Sequence, residues 1–89
     1  MAIKVTSGPP SAAEREEIIL KAAWGNCDTG IDPKLSHNLY DDLGFMDLDL
    51  VEFVMEIEDE LKIDIEDQKM EAFATLQDVL DEVNRLLLS

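Results

Sequence analysis

The 89-residue chain predicts an all-α fold, a bundle of four helices with one long connection. Apolar residues recur at helical spacing along most of the chain, and capping signals precede the first and the last stripe. The alternating stretch Ile63-Asp64-Ile65 is too short to start a sheet by itself. A chain of this length is large enough for one core of a few helices, so we expect a single domain.

The first predicted helix follows a lead-in, residues 1–10, whose Gly-Pro-Pro ending cannot begin a helix. Ser11 and Glu14 have the spacing of a capping box, in which each residue's side chain bonds to the other's backbone N–H. The apolar stripe that follows ends at Trp24-Gly25. We therefore expect a flexible lead-in over residues 1–10 and a folded domain over residues 11–89.

Beyond the first helix, the sequence predicts a long loop and three more helices. Residues 25–38 are rich in turn formers, and we expect Leu35 and Leu39 to attach this loop to the core. A short third helix is predicted over residues 67–73. The last helix carries a long apolar stripe, and Thr75 is its predicted N-terminal cap.

The second helix, predicted over about residues 47–61, divides its residues among three sides. Its core face comprises Leu50, Phe53, Val54, Ile57 and Leu61. The opposite side, here called the acidic arc, comprises Asp49, Glu52, Glu56, Asp59 and Glu60. Between the two lies an apolar seam of Leu48, Val51 and Met55. The seam is thus apolar but borders the acids.

The charge of the chain excludes several classes of function. Lys and Arg number 7 against 21 Asp and Glu, and the formal net charge is -14. Such a charge repels phosphate backbones and anionic membrane surfaces and attracts proteins with basic patches. We expect neither nucleic-acid binding nor membrane insertion. With no signal peptide and no apolar run of membrane-spanning length, we expect a cytoplasmic protein.

Metal binding and catalysis are not expected from these residues. One cysteine, Cys27, and one histidine, His37, cannot form a zinc site. A calcium loop that began at Asp47 would need a glycine at its sixth position, where Glu52 stands. The many carboxylates cover an exposed helix face rather than a pocket, and His37 is isolated in a polar loop. We therefore expect no enzyme activity.

The acidic arc allows two interpretations, a solvated face or a docking surface. Its five carboxylates repel one another, and the helix contains no Lys or Arg to compensate them. They also border the apolar seam, and a basic partner would be steered by the charges and held by the apolar contacts. We favour docking. The expected partner-binding residues are Leu48, Asp49, Val51, Glu52, Met55, Glu56 and Asp59.

Several segments between Ser11 and Leu87 carry a resemblance to a known family. They are Asp42-Leu-Gly44, residues 48–55, residues 58–61 and Thr75-Leu-Gln-Asp-Val79. With the long first loop and the short third helix, the chain resembles an acyl carrier protein. The resemblance implies a four-helix bundle that carries acyl chains as thioesters on a 4'-phosphopantetheine arm. In that family a transferase attaches the arm to the serine of an Asp-Ser-Leu motif.

The resemblance places Asp47 where the family has its modified serine, and Met46 where the motif has its aspartate. Attachment needs an alcohol oxygen, whereas a carboxylate at the same place would form a labile acyl phosphate. We therefore expect no 4'-phosphopantetheine at this position. Asp47 is instead expected to be the N-cap of the second helix. The nearest serine, Ser36, lies upstream in the long loop.

Three functions follow, and the first is favoured. The chain is an acyl-carrier-like binding protein that docks on acyl-handling synthases or transferases of fatty acid, polyketide or related lipid metabolism. Alternatively, it is a working carrier whose serine was replaced artificially by Asp47, or one that is modified elsewhere. A third possibility is an acidic interaction module unrelated to acyl transfer. We expect the free protein to be a monomer.

Overall fold

The computed structural model describes residues 10–27 and 30–88, and these residues contain four helices. The helices are α1 (Ala12–Asn26), α2 (Asp47–Leu61), α3 (Asp67–Ala72) and α4 (Leu76–Leu88). In the described ranges the sole β-type pairing is an isolated antiparallel bridge between Asn38 and Thr75. The predicted all-α bundle with one long connection and a short third helix is confirmed. The predicted lead-in lies outside the described residues except for Pro10.

The capping box predicted at the start of α1 is present. Ser11 Oγ accepts from the Glu14 N–H at 3.2 Å, and Glu14 Oε1 accepts from the Ser11 N–H at 2.7 Å. These two bonds satisfy donors that the first turn of a helix otherwise leaves without acceptors. At the other end, Asn26 Nδ2 donates to the Ala22 carbonyl at 2.8 Å. Local side-chain bonds therefore define both ends of α1.

The N-cap of α2 is Met46, and the prediction that Asp47 caps this helix was wrong by one residue. Met46 has an extended backbone (φ -102, ψ 174), and Asp47 is the first helical residue. The Met46 N–H donates to Asp49 Oδ2 at 2.9 Å. Asp49 thus makes the reciprocal bond of a capping box, because it lies three residues after the cap and can reach back to it.

One hydrophobic core joins the helices. All five residues predicted for the core face of α2 are buried, and Phe53 is completely so. Phe53 packs edge-on against Phe45, with ring centroids 5.4 Å apart and an interplanar angle of 69°. Helix α1 packs against both α2 and α4. Because the inner face of α2 is fully used in this way, its acidic arc and apolar seam face outward.

The long connection between α1 and α2 is bonded to the junction before α4. The Leu39 N–H donates to the Ala74 carbonyl at 2.8 Å, and the Leu76 N–H donates to the His37 carbonyl at 3.2 Å. Leu39 is completely buried and Leu35 is half-buried against the core, as the sequence predicted. The connection therefore holds the start of α2 in place rather than merely spanning two helices.

No helix within the described ranges has both the length and the apolar character that crossing a membrane requires.

A buried carboxylate on α4 is neutralised within the same helix. The Glu82 side chain is 8% exposed and accepts from Arg85 Nε at 3.0 Å and Nη2 at 2.6 Å. The hydrogen bonds from Arg85 hold the pKa of the Glu82 carboxyl below its ordinary value, although burial opposes the shift. Because its folded-state pKa is lowered, Glu82 contributes stability above its unfolded-state pKa, and this contribution is lost as pH falls through the folded-state pKa.

Replacing Glu82 with Gln should therefore make the free energy of unfolding less dependent on pH in the acid range. We expect Glu82→Gln to be less stable than the parent at neutral pH, and the difference to shrink as Glu82 becomes protonated in the parent. Denaturant titrations from neutral pH into the acid range measure this difference directly. Glu17→Gln, at an exposed position on α1, is the matched control and should show no such convergence. A parent–variant difference independent of pH would contradict the assigned pairing.

Candidate functional site

The start of α2 presents Asp47 on an exposed apolar surface. Asp47 is exposed, and its neighbours Met46 and Leu48 are 74% and 67% exposed. Among the described residues, the Asp47 carboxylate accepts no hydrogen bond, so it is directed to solvent at the positive end of the helix dipole. Position 47 is thus accessible to a partner protein without any rearrangement of the fold.

The apolar seam continues from this end along α2. Leu48 is followed by Val51, 36% exposed, and Met55, 59% exposed. The helical spacing predicted these three residues on one side, but it did not predict Met46 as an extension of the seam. Met46 lies just before the first helical turn, so a helical periodicity does not position it. The seam with Met46 forms a strip of large apolar side chains that the protein itself leaves uncovered.

The acidic arc comprises two groups of carboxylates with different surroundings. Asp49 is half-buried and bonded to the Met46 N–H, and Glu56 accepts from Asn26 Nδ2 at 3.1 Å. These two side chains have structural bonds within the protein. The other members are exposed and, within the part of the chain that the structure describes, accept no hydrogen bond and form no ion pair: Glu52, Asp59 and Glu60. This second group is available to a partner at no structural cost.

An open groove of about 570 Å³ lies along the second half of α2. It combines Met55 of the seam with Ile63, which lies just beyond the helix. Its remaining lining is acidic: Glu52, Glu56, Glu58 and Asp59. Glu58 is fixed, because its carboxylate accepts from the Ile65 N–H at 2.7 Å. The groove is therefore lined by two apolar and four acidic residues, a composition suited to a cationic side chain with an apolar stem.

The remaining residues that could carry chemistry have structural hydrogen bonds. The described residues include no group of three or more His, Cys, Asp or Glu placed to hold a metal ion. The Cys27 thiol donates to the Leu43 carbonyl at 3.5 Å, and His37 Nδ1 accepts from the Lys34 N–H at 3.1 Å. Both contacts stabilise the long connection. The exposed face of α2 remains the strongest candidate site.

Comparison with known proteins agrees with this geometry. The family described as "Phosphopantetheine attachment site" matches residues 27–83, which include the whole of the long connection, α2 and α3 and most of α4. The chain belongs to the acyl carrier protein family. An acyl carrier protein of Phaeodactylum tricornutum is 49% identical over 59 residues, which are 63% of this chain and 78% of that protein. One of Campylobacter concisus is 36% identical over 59 residues, 63% of this chain and 77% of that protein.

The residue types on α2 do not fit the attachment of the family's cofactor. A phosphodiester link to phosphopantetheine requires an alcohol oxygen on the protein. Helix α2, Asp47–Leu61, contains no Ser, Thr or Tyr, and its exposed first residue is a carboxylate. The fold and the exposed helix face of a carrier protein are thus combined with a first helical residue that cannot form the link.

The crowded carboxylates should make stability depend on ionic strength. Repulsion within the acidic arc, added to a net charge of -14, opposes folding and is reduced by screening. We expect added salt, or millimolar magnesium or calcium, to raise the melting temperature gradually without saturation. Thermal denaturation monitored by circular dichroism measures this response. A saturable response to micromolar calcium alone would instead indicate a specific site and contradict this account.

Proposed function

We propose that this protein acts by docking on enzymes that recognise acyl carrier proteins and that it carries no phosphopantetheine at position 47. The observation on which the proposal depends is Asp47, a carboxylate at the exposed start of α2. On this proposal, Asp47 stands where the family has its modified serine, and the motif Asp42-Leu-Gly44 with Leu48 supports that placement. The protein would then act as a subunit, scaffold or regulator rather than as an acyl shuttle or an enzyme.

The surface around Asp47 supports docking by charge and by apolar contact. Met46, Leu48 and Met55 are all more than half exposed, and covering them would release ordered water from a large apolar area. Among the described residues, the carboxylates of Glu52 and Asp59 have no intramolecular bonds to lose on binding. A partner with a basic patch would be steered by these charges and held by the apolar strip. Acyl-handling synthases and transferases with such patches are the proposed partners.

A working carrier is the rival proposal, because the relative at 49% identity is itself named an acyl carrier protein. On that proposal, the arm would be attached to a hydroxyl elsewhere in the chain, or Asp47 would be an artificial replacement for the serine of a carrier. Ser36, in the long connection, is the exposed serine nearest to α2 along the chain. Both proposals predict docking, and they differ in whether the protein as it exists accepts the arm.

The mass of the intact protein after incubation with a promiscuous phosphopantetheinyl transferase and coenzyme A separates the two proposals. We expect no adduct on the parent and one phosphopantetheine on Asp47→Ser. The substitution should cost about 0.3–1 kcal/mol at most, because Asp47 is not the N-cap and loses only its interaction with the helix dipole. Asp47→Ala, which also removes the charge but adds no hydroxyl, is the matched control and should stay unmodified.

Met46 stands where the family motif has an aspartate, so the single variant need not be the best substrate. We expect Met46→Asp with Asp47→Ser to be modified faster than Asp47→Ser alone. An adduct on the parent would overturn the proposed loss of attachment and favour a working carrier. If the double variant folds and stays unmodified, the difference from a carrier extends beyond the start of α2.

Docking is tested with the free carboxylates rather than with the structural ones. Glu52→Lys and Asp59→Lys should slow association with the same transferase roughly tenfold at low salt. They should leave the fold intact, because neither side chain has a bond to another of the described residues. Leu48→Ala should mainly speed dissociation, because it removes apolar contact. Surface plasmon resonance at two salt concentrations measures both rates. Glu17→Lys, with the same change of charge on α1, is the control.

The result that contradicts docking through α2 is equally clear. If Glu52→Lys, Asp59→Lys and Leu48→Ala all associate and dissociate at the rates of the parent, the exposed face of α2 is not the interface. If Glu17→Lys slows association as much as Glu52→Lys does, only net charge matters and the site is not local.

A further inference from the structure

The exposed apolar strip on α2 contains two methionines, and their surroundings differ from those of a third. Met46 is 74% exposed and Met55 is 59% exposed. Met70, on α3, is half-buried and packed against the core. Thioether sulfur is oxidised by peroxides at a rate that depends on its access to solvent. Among the described residues, the two most exposed methionines thus lie on the surface that is proposed to dock.

We propose that Met46 and Met55 form a reversible oxidation site that controls how long a partner stays bound to α2. This inference rests on the proposed function, since the docking surface is the one affected. Oxidation of both side chains by hydrogen peroxide or a related two-electron oxidant shortens the lifetime of the complex. Reduction of the sulfoxides restores it.

The chemistry requires only the thioether and the oxidant. A sulfur lone pair attacks one oxygen of hydrogen peroxide, the O–O bond breaks, and the second oxygen leaves as water after proton transfer. The sulfur is oxidised by two electrons to the sulfoxide, and the peroxide is reduced by two electrons. In the reverse direction, a thiol-dependent methionine sulfoxide reductase supplies two electrons and two protons, and the oxygen leaves as water.

The consequence for docking follows from a change in polarity without a change in charge. A sulfoxide is a strong hydrogen-bond acceptor, and burying it against an apolar partner surface costs its hydration. Met55 and Ile63 are the two apolar residues that line the groove along α2. The carboxylates that steer association are untouched. Oxidation should therefore raise the dissociation rate and leave the association rate and its salt dependence unchanged.

The fold should tolerate this modification at both positions. Neither Met46 nor Met55 belongs to the buried core, so a sulfoxide at either position stays in water. The Met46 contribution to the cap is its backbone N–H, which oxidation of the side chain does not alter. Oxidation of Met70 would instead insert a polar group beside the core. A loss of docking without a loss of stability thus distinguishes the proposed site from general oxidative damage.

In the experiment, the parent protein is treated with limited hydrogen peroxide, and the oxidant is then removed with catalase. Oxidation of the methionines and binding to the partner are both measured afterwards. Peptide mass mapping gives the oxidation rate at each methionine. Surface plasmon resonance with the untreated phosphopantetheinyl transferase gives the two rate constants. Met46→Leu with Met55→Leu keeps the apolar volume and removes both sulfurs, and Met70→Leu is the matched control.

We expect Met46 and Met55 to be oxidised several times faster than Met70. Oxidised parent and oxidised Met70→Leu should dissociate at least several-fold faster than their reduced forms and recover after treatment with the reductase. The Met46→Leu, Met55→Leu double variant should bind alike before and after peroxide. Circular dichroism should show the same melting temperature for reduced protein and for protein oxidised at these two positions.

Three results would overturn the inference. Met70 could be oxidised as fast as the exposed pair, the oxidised parent could dissociate at the rate of the reduced one, or the double variant could lose binding to the same extent as the parent. Failure of the inference is distinguishable from failure of the proposed function. If the reduced parent does not bind a carrier-recognising enzyme at all, docking itself is overturned, and oxidative control of it with it.

Discussion

Burial of the inner face of α2 is the constraint on which the rest of the structure depends. Each large apolar side chain taken fully out of water contributes about 1.5–3 kcal/mol. The face provides five such residues: Leu50, Phe53, Val54, Ile57 and Leu61. Repulsion between exposed carboxylates is weaker, a few tenths of a kcal/mol for a helical pair. Burial therefore decides the orientation of α2, and the crowded acids are held outward although they repel one another.

The long connection determines where the start of α2 lies in space. Gly44 has a φ of 71°, a conformation that favours glycine, and it allows the chain to turn between buried Leu43 and buried Phe45. The Phe45 N–H donates to the Leu39 carbonyl at 2.9 Å, and Leu39 is itself bonded to the junction before α4. This series of buried residues and backbone hydrogen bonds thus ends at Phe45, one residue before Met46. The exposed Met46 and Asp47 extend from a fixed base, which suits a surface that a partner must recognise.

Helices α1, α2 and α4 were predictable from the sequence because each buries one face, and a buried face leaves a period in the sequence. The capping box at α1 and the Thr75 cap of α4 were also predictable, since both depend on residues three positions apart. At α4, Thr75 Oγ1 accepts from the Asp78 N–H at 3.2 Å. The N-cap of α2 was predicted one residue too late, because both Met46 and Asp47 lie where the helix begins and only one of them can be its N-cap. The burial of Phe45 and the reach of Asp49 decide between them, and neither is visible in local sequence preferences.

The groove along α2 was not predictable for a related reason. Lys62 adopts a left-handed conformation with a φ of 58°, which ends α2 and turns the chain back. The Ile65 N–H then bonds to Glu58, and Ile63 is placed beside Met55. A positive φ at a residue other than glycine is uncommon, so the sequence did not indicate this reversal. The helical period predicted which side of α2 carries the candidate site, but the groove depends on tertiary structure that the period does not indicate.

Attachment of the arm and docking of a partner depend on different parts of α2, so a change at one residue can remove the first and leave the second. The stability of α2 depends on its inner face and on the Met46–Asp49 bond, and Asp47 takes part in neither. A carboxylate in the first helical turn is favoured by the helix dipole, so an aspartate at this position does not destabilise the fold. The proposed docking surface lies on the outer face and needs no hydroxyl. Attachment of the arm, in contrast, depends on a single oxygen atom. On the proposed function, loss of that atom removes the carrier chemistry and leaves recognition intact, because the two depend on different atoms of one helix.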